Sequence, residues 1–274
     1  MEIKINGITV NIVSQSSEIP NSKIPIVFLH GFTGSANDWK YSMQNVNDNY
    51  FPVAIDLPGH GDTEISENIV DYTSNAINNI ILSVIEKLQI PQVVLLGYSM
   101  GGRAALSFAS QHSSKITALI LESSTAGIEN ADEREERLMN DTELAEKIEK
   151  NGIEDFIKQW MELPLFESLK SLSEEEYKNI IKRKIANNKK GLANSLRGFS
   201  TGKMKSLWDD LGELNFPVLL ITGSLDKKYE LIATRMDPLF QQSGHKIVKN
   251  AGHNVHLEKP KEFIKLVNNF LEKL

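Results

Sequence analysis

Six short apolar runs, most of them stopping at a glycine-rich or polar loop, constrain this chain more than any other feature. Ile24–Leu29 (IPIVFL) stops before His30-Gly31, and Tyr50–Leu57 (YFPVAIDL) before Pro58-Gly59-His60-Gly61. Val93–Leu96 stops before Gly97, and Ala118–Leu121, Val218–Thr222 and His245–Lys249 complete the set. Runs of this length, separated by helical stretches, read as strands of a mostly parallel sheet buried on both faces. Between them, residues 72–88 carry apolar side chains at 77, 80, 81, 84, 85 and 88, the stripe of an amphipathic helix. Residues 101–109 are apolar on nearly all sides, as a central buried helix must be. Residues 260–274 begin with proline in the first turn and predict a C-terminal helix. Asn6-Gly7, between Ile3, Ile5 and Ile8, Val10, Ile12, predicts a hairpin ahead of the sheet. The expected fold class is α/β, a mostly parallel central sheet with helices on both faces.

Residues 128–206 break the rhythm. No strand is legible there, 31 of the 79 residues are charged, and helical stripes recur, as in Ile153, Phe156, Ile157 and Trp160. The expectation is a helical cap over 128–206 on a core built from 1–127 and 207–274.

Composition removes whole classes of chemistry. The 274 residues include no cysteine, so disulfides, zinc–thiolate sites, iron–sulfur clusters and thiol nucleophiles are excluded. A net charge of -6 argues against nucleic acid as the main partner. No run approaches 18 apolar residues and the first ten lack a secretory signal pattern, so the expectation is a cytoplasmic protein without membrane insertion.

Gly97-Tyr98-Ser99-Met100-Gly101 fits G-x-S-x-G. It follows the strand VVLL directly and precedes a small-residue helix start, Gly101-Gly102 with Ala104 and Ala105. A nucleophile elbow needs that context: the turn is tight, and the helix N-terminus favours developing negative charge. A serine needs a base, and the base an orienting acid. His253, in Asn250-Ala251-Gly252-His253, and Asp226, in Gly223-Ser224-Leu225-Asp226, each follow a strand end. Asp209, Asp210 and Asp237 follow none and are weaker candidates. His256 is read as a packing or solvent-facing residue, His30 as a brace for its loop, and His60 as structural. Two backbone N–H groups must face a developing oxyanion, and those of Phe32 and Met100 form the natural pair.

Arginine usage points to the ligand. Only six of the 30 Lys+Arg residues are arginine: Arg103, Arg134, Arg137, Arg183, Arg197 and Arg235. Arginine is the better side chain for bidentate carboxylate recognition. Arg103 lies one helical turn beyond Ser99, where it can face the same pocket, and four of the other five lie within 128–206. The ligand expected from this distribution is a small polyanion.

The motifs LHGFTG, DLPGHG, GYSMGG, GSLD and AGH together resemble the α/β-hydrolase fold family over nearly the whole chain. GYSMGGR, LESSTAGIENADEREERLMND, FIKQWMELPLF, KRKIANNKKGLANSLRGFSTG and AGHNVHLEKP narrow the resemblance. They are similar to the MenH family, the 2-succinyl-6-hydroxy-2,4-cyclohexadiene-1-carboxylate synthases of menaquinone biosynthesis. The resemblance implies an elimination that releases pyruvate from 2-succinyl-5-enolpyruvyl-6-hydroxy-3-cyclohexene-1-carboxylate, with Ser99, His253 and Asp226 as catalytic residues. It implies that Arg103, Arg137 and a third basic residue, Arg183 or Lys184, bind carboxylates, and that Tyr98 and Trp160 line the pocket. It implies no cofactor and no metal. A carboxylesterase or thioesterase with the same triad, and a non-catalytic ligand sensor, are the competing readings.

Overall fold

An apolar run can lie between two helical layers only if each of its backbone polar groups is paired along a sheet. The computed structural model, which describes all residues except 17 and 21, shows how the chain meets this demand. Eight strands form one sheet: β1 (Glu2–Ile5), β2 (Ile8–Ser14), β3 (Ile24–Leu29), β4 (Tyr50–Ile55), β5 (Val93–Tyr98), β6 (Ile116–Glu122), β7 (Val218–Gly223) and β8 (Ser243–Val248). Their order is β1-β2-β4-β3-β5-β6-β7-β8. The first two pairings are antiparallel and the rest parallel. Asn6 and Gly7 both adopt positive φ, as the predicted hairpin turn requires.

Among the described residues ten α-helices accompany the sheet: α1 (Lys40–Asn45), α2 (Ser74–Lys87), α3 (Met100–Gln111), α4 (Ala131–Asn151), α5 (Ile153–Trp160), α6 (Glu174–Ile185), α7 (Lys189–Gly198), α8 (Lys227–Met236), α9 (Val255–Glu258) and α10 (Pro260–Leu271). Alternate residues of the parallel strands feed two different cores. Val27, Leu29, Val53 and Leu95 pack with α2 and α3, whereas Ile26, Phe28, Ala54 and Leu96 pack with Trp39, Phe263 and Val267. Helices α4–α7 lie between β6 and β7 in sequence, with no strand among their described residues. They close around a cluster of their own that includes Ile148, Phe156, Ile157, Leu169, Ile180 and Leu192.

The sequence reading places every strand, although β5 and β6 run past their predicted ends, into Tyr98 and Glu122. It assigns nothing to α8, whose exposed face is charged and whose apolar stripe is thin. At the carboxyl edge of the sheet the backbone is strained. Thr33, Ser99, Ser123 and Asn250, all just beyond the ends of β3, β5, β6 and β8, have positive φ. Non-glycine residues held this way cluster where a fold presents functional side chains.

Candidate active site

Ser99 sits at the junction of β5 and α3 with φ 50° and ψ -108°. Nothing larger than glycine fits at positions 97 and 101, on either side of this turn. A Cβ on Gly97 would lie 2.3 Å from the Gly101 carbonyl oxygen, and one on Gly101 would lie 2.2 Å from that of Leu29. The Ser99 N–H donates to the Glu122 carbonyl at 2.8 Å, and its own carbonyl accepts from the Arg103 N–H at 3.0 Å. The serine backbone is thereby fixed between strand and helix.

The other two members arrive from separate loops. His253 Nε2 lies 3.0 Å from Ser99 Oγ, and His253 Nδ1 lies 2.6 Å from Asp226 Oδ2. His253 and Asp226 are both buried. This arrangement can take the serine proton onto Nε2 while the carboxylate holds the imidazole orientation. Asp226 also caps α8, accepting from the Tyr229 N–H at 3.3 Å. The weaker acid candidates lie elsewhere: Asp210 pairs with Lys205, and Asp237 accepts from Ser243 Oγ.

His253 is held from beneath by a residue that the sequence reading did not single out. The Gly252 and Asn254 N–H groups, on either side of His253, donate to Glu258 at 2.7 and 3.1 Å. Burial raises the Glu258 pKa against those bonds. His256 is buried rather than solvent-facing. It stacks on Trp39 at 4.2 Å between centroids, and its Nδ1 lies 2.8 Å from a carboxylate oxygen of Glu122. Glu122 therefore braces the serine through its backbone and the histidine loop through its side chain.

His30 and His60 take structural places. The Leu57 N–H donates to His30 Nε2 at 3.0 Å, so the His30 proton is on Nδ1, 2.8 Å from the Gly31 carbonyl. Burial lowers the pKa of both histidines, His60 more strongly, with His30 adding to the effect. Both remain neutral braces of the loops after β3 and β4. Met100 is the first residue of α3, so its N–H has no acceptor within the helix. Phe32 and Met100 both border the cavity above Ser99.

That cavity encloses about 350 Å³ and is lined by Ser99, His253, Tyr98, Arg103, Arg137 and Trp160, among others. The Tyr98 hydroxyl donates to Asn254 Oδ1 at 2.8 Å, and burial holds its pKa well above the ordinary phenol value. Trp160 packs edge-on against Phe32 at 5.5 Å, and its buried Nε1 has no protein acceptor among the described residues. Arg103 is buried, with no carboxylate within salt-bridge distance among the described residues. It donates to the Phe199 carbonyl at 3.0 Å and lies over the Phe199 ring at 4.6 Å. Burial, with repulsion from Arg137, lowers its pKa to about 10. Arg137 donates to both oxygens of Asp141 at 2.9 Å, and Ser200 Oγ donates to the same carboxylate at 2.7 Å. The cavity thus joins a serine–histidine pair to fixed positive charge, in a protein whose net charge is -6.

The expected third cation stands apart. Arg183 Nε pairs with Asp38 Oδ1 at 3.0 Å, and Lys184 Nζ donates to Thr33 Oγ1 at 2.9 Å behind the loop that carries Phe32. Neither borders the cavity. Asp38 explains the departure: although burial opposes it, the charges of Lys184 and Arg183 keep its pKa low, and both cations are drawn to its side of the loop, Lys184 buried and Arg183 half-buried. Two residues missing from the sequence reading occupy the cavity wall instead, Lys228 and Tyr229. The Tyr229 ring lies 4.5 Å from that of His253. An aromatic two or three residues beyond the triad acid, at a helix start, was the available signal for it.

Known proteins share this architecture. A family model for the alpha/beta hydrolase fold matches residues 24–260. The chain is 40% identical over 256 residues to a Bacillus subtilis (strain 168) protein, across 93% of each. That protein carries the name 2-succinyl-6-hydroxy-2,4-cyclohexadiene-1-carboxylate synthase provisionally. A Klebsiella pneumoniae synthase of the same name is 31% identical over 239 residues, covering 86% of this chain and 88% of its own. The solved structure of MenH from S. aureus superposes with a TM-score of 0.90 at 32% identity, over 96% of this chain and 98% of that one. In fold and in sequence, the chain belongs to the alpha/beta hydrolase family and, within it, to the family of the 2-succinyl-6-hydroxy-2,4-cyclohexadiene-1-carboxylate synthases.

Proposed function

We propose that this protein is a carbon–oxygen lyase of menaquinone biosynthesis. It eliminates pyruvate from 2-succinyl-5-enolpyruvyl-6-hydroxy-3-cyclohexene-1-carboxylate to give 2-succinyl-6-hydroxy-2,4-cyclohexadiene-1-carboxylate. The observation that carries the reading is one cavity that joins a serine–histidine–aspartate chain to two arginines. An ester hydrolase has no need of that positive charge, whereas a substrate with three carboxylates does. The names of the chain's relatives support the same reaction.

In this reading His253 withdraws the Ser99 proton, and Ser99 Oγ removes the proton alpha to the succinyl ketone. The electron pair moves toward the ring, the carbon–oxygen bond to the enolpyruvyl group breaks, and pyruvate departs after taking up a proton. Asp226 holds the imidazole tautomer and stabilises the imidazolium. The Phe32 and Met100 N–H groups receive the enolate oxygen, where one such donor contributes about 3 kcal/mol. Arg103 and Arg137 orient carboxylates, with Arg137 exchanging part of its bond to Asp141 for the substrate. Tyr98 and Trp160 shape the pocket. Residues 128–206 act as its cap, and the reaction takes place in the cytoplasm without metal or cofactor.

The test is pyruvate release from the enolpyruvyl substrate, followed as NADH consumption by added lactate dehydrogenase, beside cleavage of a p-nitrophenyl ester. Rapid pyruvate release that Ser99→Ala abolishes supports the lyase. Ester cleavage without pyruvate release overturns it in favour of a carboxylesterase or thioesterase.

A further inference from the structure

Three cations border the catalytic cavity, and the proposed substrate carries three carboxylates. Arg103 and Arg137 account for two of them. The third cation is Lys228, not Arg183, which pairs with Asp38, or Lys184, which is hydrogen-bonded to Thr33; neither of these borders the cavity. We propose that Lys228 forms the third carboxylate subsite, at the rim of the cavity. The inference rests on the lyase reading and names the residue that completes its substrate recognition.

The local physics of α8 makes Lys228 conspicuous. It is the second residue of the helix, where the aligned peptide dipoles present partial positive charge and cations are unfavourable. Lys227, beside it, offsets that cost by pairing with Glu230 at 2.9 Å. Lys228 has no carboxylate within salt-bridge distance among the described residues; its Nζ lies 5.8 Å from the Tyr229 ring centroid. A cation at a helix N-terminus with no internal counter-charge adds to the field that already draws anions to such an end. Here that end carries Asp226 of the triad and Tyr229, which packs on His253.

The three cations arise from three elements: Arg103 from α3, Arg137 from α4 and Lys228 from α8. Their environments differ in a way that suits division of labour. Arg103 is buried and fixed by Phe199, and Arg137 is held in a fork by Asp141. Lys228 is exposed at the rim on a flexible stem, and an ammonium there can follow a carboxylate as it enters and docks.

The experiment compares Lys228→Met, Lys228→Arg and the control Lys227→Met in the pyruvate-release assay at low and high salt. At low salt Lys228→Met should raise KM about fivefold with kcat within twofold, as for an exposed charge pair. Lys228→Arg should restore most of the loss. In 0.5 M salt the difference from wild type should shrink to within about twofold, because the pair is screened. Lys227→Met should match wild type throughout. Calorimetric binding of tricarballylate and of glutarate supplies a second arm that needs no turnover. Lys228→Met should weaken the tricarboxylate about fivefold and leave the dicarboxylate within twofold. An unchanged KM and unchanged tricarballylate affinity in Lys228→Met would overturn the proposal. Absence of pyruvate release by the wild type would overturn the reaction reading alone, and the binding arm would still decide the subsite.

Discussion

Replacing Arg103 by methionine separates a binding role from a structural one, because the two roles predict opposite effects on stability. The guanidinium is buried, and that burial lowers its pKa from the ordinary arginine value to about 10. At 1.36 kcal/mol per pKa unit, the cation is disfavoured in the free protein by about 3 kcal/mol. The sign follows from proton linkage: from about pH 10 up to the ordinary arginine value, the unfolded chain binds more protons than the folded one. Stability therefore rises with pH across that window, and the full cost is present at neutral pH. Methionine keeps the apolar stem and removes the charge. It also leaves the Phe199 carbonyl without its donor, which costs about 1 kcal/mol. The net expectation is stabilisation by about 1–2 kcal/mol, a rise in Tm of about 2–6 °C for a chain of this size. The same substitution removes a charge-assisted bond to a substrate carboxylate, worth about 1.5–3 kcal/mol, so kcat/KM should fall about 10- to 150-fold. Thermal unfolding at pH 7.5 and the pyruvate-release assay read the two effects independently. A variant with lowered Tm and unchanged kcat/KM would refute the reasoning and make Arg103 a structural residue.

Asp226→Asn preserves the shape of the site but reverses the hydrogen-bonding sense at His253 Nδ1, so kcat should fall about 10³- to 10⁴-fold with Tm nearly unchanged; a loss below tenfold would mean that another group orients His253. Glu258→Ala strips the acceptor from the Gly252 and Asn254 amides, and should cost about 1–3 kcal/mol of stability while lowering kcat at constant KM. Glu258→Gln, which keeps one acceptor oxygen, should fall between wild type and alanine in denaturant melts and in turnover. Gly101→Ala forces a Cβ to within 2.2 Å of the Leu29 carbonyl oxygen, and neither backbone can yield cheaply. Soluble protein with wild-type Tm and activity would show that the elbow is more plastic than its packing implies.

What was legible in the sequence was local. A strand that ends in G-x-S-x-G and runs into a small-residue helix leaves one compact turn available, so Ser99 and its amide environment follow from five consecutive residues. Asp226 and His253 were legible because each lies a few residues past an apolar run, and the end of a parallel strand always opens at the same edge of the sheet. His30 and His60 were separable from His253 by their places in glycine-rich loops that need bracing. Tertiary structure decided which charges remain for a ligand. Arg183 is claimed by Asp38 across 145 positions, and His256 by Glu122 across 134. No periodicity or motif links such partners, because an ion pair depends on where two helices or loops meet in space. Lys228 became visible for the same reason. Its neighbour Lys227 has the identical side chain, and only the orientation of α8 against the cavity distinguishes the lysine that pairs with its own helix from the one that borders the cavity.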